Sequence, residues 1–312
     1  MPRKRFPYPM PFGWFAIARV DELPDTPVTS LEYFDRELVL WHDGTHHHLV
    51  DAICPHLGAH IGVGGWVEGG CIVCPFHQWA YGPDGVNTEI PYADNPNRKA
   101  RLHVLPTVER NGLLLAWYHP DRSLAPTFEV PEMLGDDFTE CARVDFEVRT
   151  AWQEIAENSV DMAHFKYVHG LTRISEVGDL HIDGVYRRVE SKQLFNSARG
   201  TFEGTLQSNN YGPGVGVAHF DLLGRVTLVS AITAIDDERV KVLFTFFHSG
   251  DPAAAKIGPA FAAEVKRQFE EDIPIWESKH FVPSPALAPV EKPITRFRSW
   301  ASQFYVTPSS PA

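Results

Sequence analysis

The stretches Cys54-Pro55-His56-Leu57-Gly58 and Cys74-Pro75-Phe76-His77-Gln78 each place a thiol and an imidazole within one tight loop. Between His56 and Cys74 lie 17 residues, among them Gly58, Gly62, Gly64, Gly65, Gly69 and Gly70. Pro55 and Pro75 stiffen the turns, and the glycines let backbone amides approach sulfur closely. Two metal chemistries use two Cys and two His. One is structural zinc. The other is a two-iron, two-sulfur cluster in which the thiolates hold one iron and the imidazoles the other. Cys71, three residues before Cys74, adds a zinc-like spacing. The ligand order points to the cluster, because zinc fingers usually pair Cys with Cys and His with His, whereas each loop here supplies one of each. Cys71 and Cys141 then read as small apolar residues.

Around these loops, Gly13 to Tyr118 reads as short strands separated by turns. Leu38 to Trp41 and His48 to Ile53 flank Asp43-Gly44, and Val108 to Arg110 and Leu113 to Tyr118 flank Asn111-Gly112; both dipeptides favour hairpins. The run His46, His47, His48 reads as exposed strand. Pro120, Pro126 and Pro131 suit a domain connection, which sets a boundary near residue 124 and domains of 1–124 and 125–312. In the second domain Thr150 to His169 reads as a helix, 183–248 as a run of strands and Pro259 to His280 as a second helix. The fold class is α+β, an all-β domain followed by an antiparallel sheet with helices.

The chain has 312 residues with 44% apolar and 22% charged content, enough for an ordinary globular core. A formal net charge of -12 with histidines neutral argues against nucleic acid and anionic membrane surfaces as partners. No run of 18 apolar residues occurs, so no membrane span is expected. Four cysteines in so long a chain fit a reducing, cytoplasmic compartment. Arg3, Lys4 and Arg5 read as a solvated terminus.

A second constellation occupies Glu157-Asn158-Ser159-Val160-Asp161-Met162-Ala163-His164-Phe165-Lys166-Tyr167-Val168-His169. At about 100° per residue, Glu157, Asp161 and His164 share one helical face, and buried ionisable groups demand partners or a metal. His169 would lie roughly 140° from His164 on a straight helix. Both can meet one metal only if the helix breaks, through a π-type bulge or an abrupt end at Gly170. Two histidines and a carboxylate on one face of an iron form the facial triad of non-haem oxygenases. Glu270-Glu271-Asp272-Ile273-Pro274 offers the carboxylate; Asp272 is the first choice, Glu271 the second, and a solvated acidic face the alternative.

Taken together, the two loops, Asp161-x-x-His164-x-x-x-x-His169, Asp272-Ile273 with Trp276, and Gln303-Phe304-Tyr305 resemble Rieske non-haem iron oxygenases, nearest the 3-ketosteroid 9α-hydroxylase and cholesterol 7-desaturase group. The resemblance implies an N-terminal Rieske domain whose [2Fe-2S] cluster is bound by Cys54, His56, Cys74 and His77. It implies a helix-grip catalytic domain whose Fe(2+) is held by His164, His169 and Asp272. It further implies a head-to-tail homotrimer in which Asp161 bridges one subunit's cluster histidine and the neighbour's His164, with Glu157 and Asn158 as supports. Electrons would come from NADH or NADPH through a separate flavin or iron-sulfur reductase. No dinucleotide fingerprint occurs in the chain itself. The reaction implied is hydroxylation by O2 of an apolar, steroid-like molecule, with desaturation or oxidative demethylation as alternatives and a Rieske electron carrier as the non-enzyme reading. Phe195, Phe202, Tyr211, Val217, Phe220, Leu222 and Phe247 could line a pocket or fill the core.

Overall fold

The computed structural model describes residues 4–135, 137–171, 177–197, 200–221 and 224–306, and the side chains of these except at 177, 179, 193–197 and 200–202. The chain divides into two compact units, 16–127 and 1–15 with 128–312.

Unit 16–127 is built of short antiparallel strands. Val28–Tyr33, Arg36–His42, His47–Asp51 and Val104–Leu105 form one four-stranded sheet. Trp66–Glu68, Cys71–Val73, Ala80–Tyr81 and Asn87–Glu89 form a second. Leu113–Tyr118 pairs with Thr107–Arg110 in a third. Asn111 and Gly112 both take positive φ in the tight turn that pairs Arg110 with Leu113, as a two-residue hairpin requires. At Asp43-Gly44 the loop is longer, because His42 pairs with His47. The Asp43 carboxylate closes it by accepting from the Thr45 and His46 amides at 2.7 and 2.8 Å. Those bonds, the His46 amide first, hold its pKa well below the usual carboxylate range. The core of this unit contains Trp41, Val50, Ile61, Ile72 and Tyr81 together with Cys54 and Cys74 themselves.

The other unit carries a seven-stranded antiparallel sheet in the order Phe138–Val148, Val240–Ser249, Arg225–Ala234, Val215–Asp221, Gly200–Tyr211, Tyr186–Ser197, Val177–Asp183. The long helix α3 (Pro252–Ser278) follows two short ones, α1 (Trp152–Ala156) and α2 (Met162–Tyr167), and precedes α4 (Lys292–Ala301). Asp251 caps α3 by accepting from the Ala253 amide, and Pro252 follows at its first turn. This places the start of α3 seven residues earlier than the proline at 259 suggests. Phe146 stacks on Phe269 of α3, and Phe244 meets both rings edge-on. Val217 and Phe220 are buried, Phe220 in this core, and it contacts Phe261 of α3. The side chains of Phe195, Phe202 and Leu222 lie outside the described residues.

Residues 1–15 belong with the second unit, not the first as a boundary near 124 implies, and Arg5 is not a frayed terminal charge. Its guanidinium donates to the carbonyls of Arg149, Trp276 and Glu277, satisfying carbonyls that the end of α3 leaves open. Phe6 and Tyr8 pack on Phe281 and Tyr305. Arg3 lies outside the described residues.

Candidate functional site

The two Cys-His loops close in the same way. The Cys54 carbonyl accepts from the Gly58 amide and its own amide donates to the Ala59 carbonyl, at 3.0 and 2.8 Å. The Cys74 carbonyl accepts from the Gln78 amide and its amide donates to the Trp79 carbonyl, both at 3.0 Å. Both loops need a left-handed residue four positions after the cysteine, and Gly58 (φ 78°) and Gln78 (φ 57°) supply it. Cys54 and Cys74 are each only 2% exposed, and burial pushes the Cys74 thiol up. The His56 and His77 rings lie 4.7 Å apart, and Trp79 stacks on His56 at 4.2 Å. Two buried thiols and two half-buried imidazoles whose rings lie together suit a two-iron cluster in which each pair would hold one iron.

The second constellation departs from one continuous helix. α1 ends in a 3-10 turn, Glu157–Ser159, and Asp161 is extended (φ −93°, ψ 90°). Its carboxylate caps α2 by accepting from the Ala163 amide at 3.1 Å and the His164 amide at 3.4 Å. Glu157, Asp161 and His164 therefore do not share a helical face. The capping aspartate restarts the helix, and the helix-face argument fails for that reason. The break expected between the histidines does occur: α2 stops at Tyr167 and Gly170 takes φ 71°. The two rings come to 5.2 Å and 82°. Asp272 of α3 brings Oδ2 to 3.4 Å from His169 Nε2. His164, His169 and Asp272 place one ligand atom each within 4.8 Å of one another, and His169 and Asp272 are buried.

The electrostatics suit a cation. Burial lowers the pKa of His164, which favours the neutral imidazole a metal needs. At His169 burial acts in the same direction, yet the hydrogen bonds to Asp272 and Glu271 raise it. Two carboxylates thus attract positive charge to the site.

The 3-ketosteroid 9α-hydroxylase C-terminal domain family matches residues 116–305 and the Rieske [2Fe-2S] domain family matches residues 13–109. The chain belongs to the Rieske oxygenases of the 3-ketosteroid 9α-hydroxylase family. A cholesterol 7-desaturase of Xenopus laevis is 30% identical over 95% of this chain and 72% of its own length. A probable 3-ketosteroid-9-alpha-monooxygenase oxygenase component of Rhodococcus rhodochrous is 30% identical over 94% and 79%. In fold, the chain is similar to dicamba monooxygenase bound to dicamba, with TM-score 0.73 and 15% identity over 94% of this chain and 96% of that one. It is similar also to NdmB of Pseudomonas putida CBB5, with TM-score 0.73 and 17% identity over 96% and 90%.

Two further contacts of this Rieske oxygenase escape sequence reasoning, and a third is made by Asn158, which the resemblance implies as a support. Tyr81 brings its hydroxyl to 3.2 Å from Cys54 Sγ; burial holds its pKa far above the usual phenol range, so it stays protonated and able to donate to that sulfur. Glu271, which sequence alone offers only as a ligand, lies on the far side of His169: its Oε2 accepts from Nδ1 at 2.9 Å, leaving Nε2 toward Asp272. It is in turn held by Arg267. Asn158 Nδ2 donates to Asp272 Oδ2 at 2.9 Å. The adjacency of Glu271 to Asp272 and of Asn158 to Glu157 is visible in sequence, but nothing local shows which way each side chain turns.

Proposed function

We propose that this protein is the terminal oxygenase of a multicomponent monooxygenase that takes electrons from a separate NAD(P)H-dependent flavin or iron-sulfur reductase and hydroxylates an apolar, steroid-like substrate with O2. The observation that carries this reading is the convergence of His164, His169 and Asp272 within 4.8 Å, because a simple Rieske electron carrier has no use for it. When bound, the cluster supplies single electrons and the mononuclear iron supplies O2 activation.

The side chains have separable tasks. Cys54, Cys74, His56 and His77 would hold the cluster, the thiolates on one iron and the imidazoles on the other. His164, His169 and Asp272 would hold the mononuclear Fe(2+). Glu271 fixes the tautomer of His169, and Asn158 orients the Asp272 carboxylate, as groups behind metal ligands do. Asp161 is the electron bridge: its backbone carbonyl accepts from His164 Nδ1 and its Oδ1 caps α2. Its half-exposed side chain leaves Oδ2 for a cluster histidine of a neighbouring subunit. That arrangement calls for a homotrimer. Exposed Ile53, Leu57, Val63, Phe76 and Tyr92 beside the cluster loops, and Tyr167 between the two iron-site histidines, are the kind of apolar surface that such docking covers.

No helix among the described residues is long and apolar enough to cross a membrane. A cytoplasmic location is proposed on the four unpaired cysteines. Desaturation is the second reading, favoured by the similarity to cholesterol 7-desaturase.

The test is metal and sulfide analysis of anaerobically purified protein with electron paramagnetic resonance, followed by product analysis with 3-ketosteroids and sterols. About three irons and two sulfides per chain, with a Rieske signal, are expected. Zinc without sulfide would overturn the proposal, and a new double bond without an added oxygen would select desaturation.

A further inference from the structure

The 3-10 turn between α1 and α2 consists of Glu157, Asn158 and Ser159, and each residue is held by a different element. Arg298 of α4 donates from Nε and Nη2 to the Glu157 carboxylate at 2.6 and 2.7 Å. Asn158 Nδ2 donates to Asp272 on α3 at 2.9 Å. Ser159 Oγ accepts from Arg187 Nη2 at 2.7 Å while donating to the Ala156 carbonyl at 2.6 Å. Arg187 belongs to the sheet strand Tyr186–Ser197. Sheet, α3 and α4 therefore converge on one turn, and Asp161, which caps the helix carrying His164, follows two residues later.

Arg187 is the costliest member of this arrangement. It is 1% exposed and has no carboxylate partner among the described residues. Its Nη2 is shared between Ser159 Oγ and Asn210 Oδ1 at 2.7 and 2.8 Å, whereas among the described residues Nε and Nη1 have no hydrogen-bond partner. Its guanidinium lies over the rings of Phe297 and Trp300 at 4.8 and 5.1 Å. Burial pushes its pKa down to about 9, which keeps the cation at neutral pH. A buried charge without a counter-charge is unfavourable against an apolar side chain of similar size, and cation–π contact offsets only part of that. What an apolar residue cannot supply is the planar fork, fixed against two rings and aimed at Ser159.

We propose that Arg187 is a positioning residue that, with Arg298 as a second arm, clamps the Glu157–Ser159 turn so that Asn158 and Asp161 hold the three-ligand set ready before metal arrives. The proposal rests on reading His164, His169 and Asp272 as that set. Without the clamp the turn samples other conformations, Asn158 leaves Asp272, and the ordering cost moves onto metal binding.

The test uses the full chain with its cluster in place and the mononuclear site stripped. Cobalt(II) binding is followed by equilibrium dialysis, and amide hydrogen exchange is followed at Val160 and Asp161, whose N–H groups bond to the Glu157 carbonyl. Arg187→Met and Ser159→Ala are expected to weaken cobalt binding about tenfold or more and to speed exchange at both amides about tenfold, with the cluster signal unchanged. Arg187→Lys, which keeps the charge and loses the fork, should behave like Arg187→Met. Restoration by lysine would overturn the clamp, as would unchanged affinity and exchange. Ser159→Ala decides between the same two outcomes if Arg187→Met fails to fold. Should the wild type show no cobalt site that His164→Ala removes, the metal reading falls, and exchange alone then upholds or overturns the clamp.

Discussion

The Rieske domain and the catalytic domain hold their proposed metal donors by opposite means. Each Cys-His loop is closed by its own backbone within six residues, from Cys54 to Ala59 and from Cys74 to Trp79. In the catalytic domain His169 meets Glu271 from 102 residues away, and the turn that steadies Asp272 is held by groups from the sheet and α4. A local motif can present ligands wherever its loop folds. The set formed by His164 of α2, His169 beyond its end and Asp272 of α3 exists only if distant parts of the chain are placed correctly.

The comparison is sharpened most by removing one donor from each site. Cys74 is part of the apolar core of its unit, so Cys74→Ser should abolish the cluster and with it the cooperative unfolding of residues 16–127, seen by circular dichroism and calorimetry. His164→Ala should abolish product formation and lower iron from about three to about two per chain, with the cluster signal and the unfolding midpoints retained. A His164→Ala variant that turned over normally would remove the triad from the mechanism.

A smaller effect tests how far the triad depends on distant packing. Phe297 is fully buried and lies beneath Arg187. Phe297→Ala should cost about 3–5 kcal/mol in denaturant unfolding, and should weaken metal binding at the triad while sparing the cluster spectrum. Loss of the cluster instead would show that the two sites are not built independently.

Tyr81→Phe probes the other side. A hydrogen bond to Cys54 sulfur stabilises the extra negative charge of the reduced cluster, so its loss should lower the midpoint potential by on the order of tens of millivolts in a redox titration. The least effect is expected at Gln78, where a non-glycine residue occupies the left-handed position that Gly58 fills in the twin loop. Gln78→Gly should stabilise the domain by no more than about 1 kcal/mol, read from the thermal midpoint. A large destabilisation would mean that the Gln78 side chain itself supports the cluster.

Reading from sequence succeeds where the decisive interactions are short in range. The paired loops, the Asn111-Gly112 hairpin and the helix end at Gly170 follow from backbone preferences of a few residues. A single helix from Thr150 to His169 fails because Asp161, as a cap, competes with the helix it would otherwise continue. Arg5 reads as a solvated charge only because the carbonyls it meets belong to residues near 149 and 276.

The sequence by itself determined the donor inventory, two Cys-His loops and a His-x-x-x-x-His segment, since identity and spacing limit what metal chemistry is possible. The tertiary structure decided which carboxylate faces the histidines and which stands behind them. Glu271 and Asp272 are neighbours in the chain with the same acid chemistry. About 100° of helix rotation separates them, and only the tertiary placement of α3 converts that angle into one carboxylate behind His169 and one facing its other nitrogen.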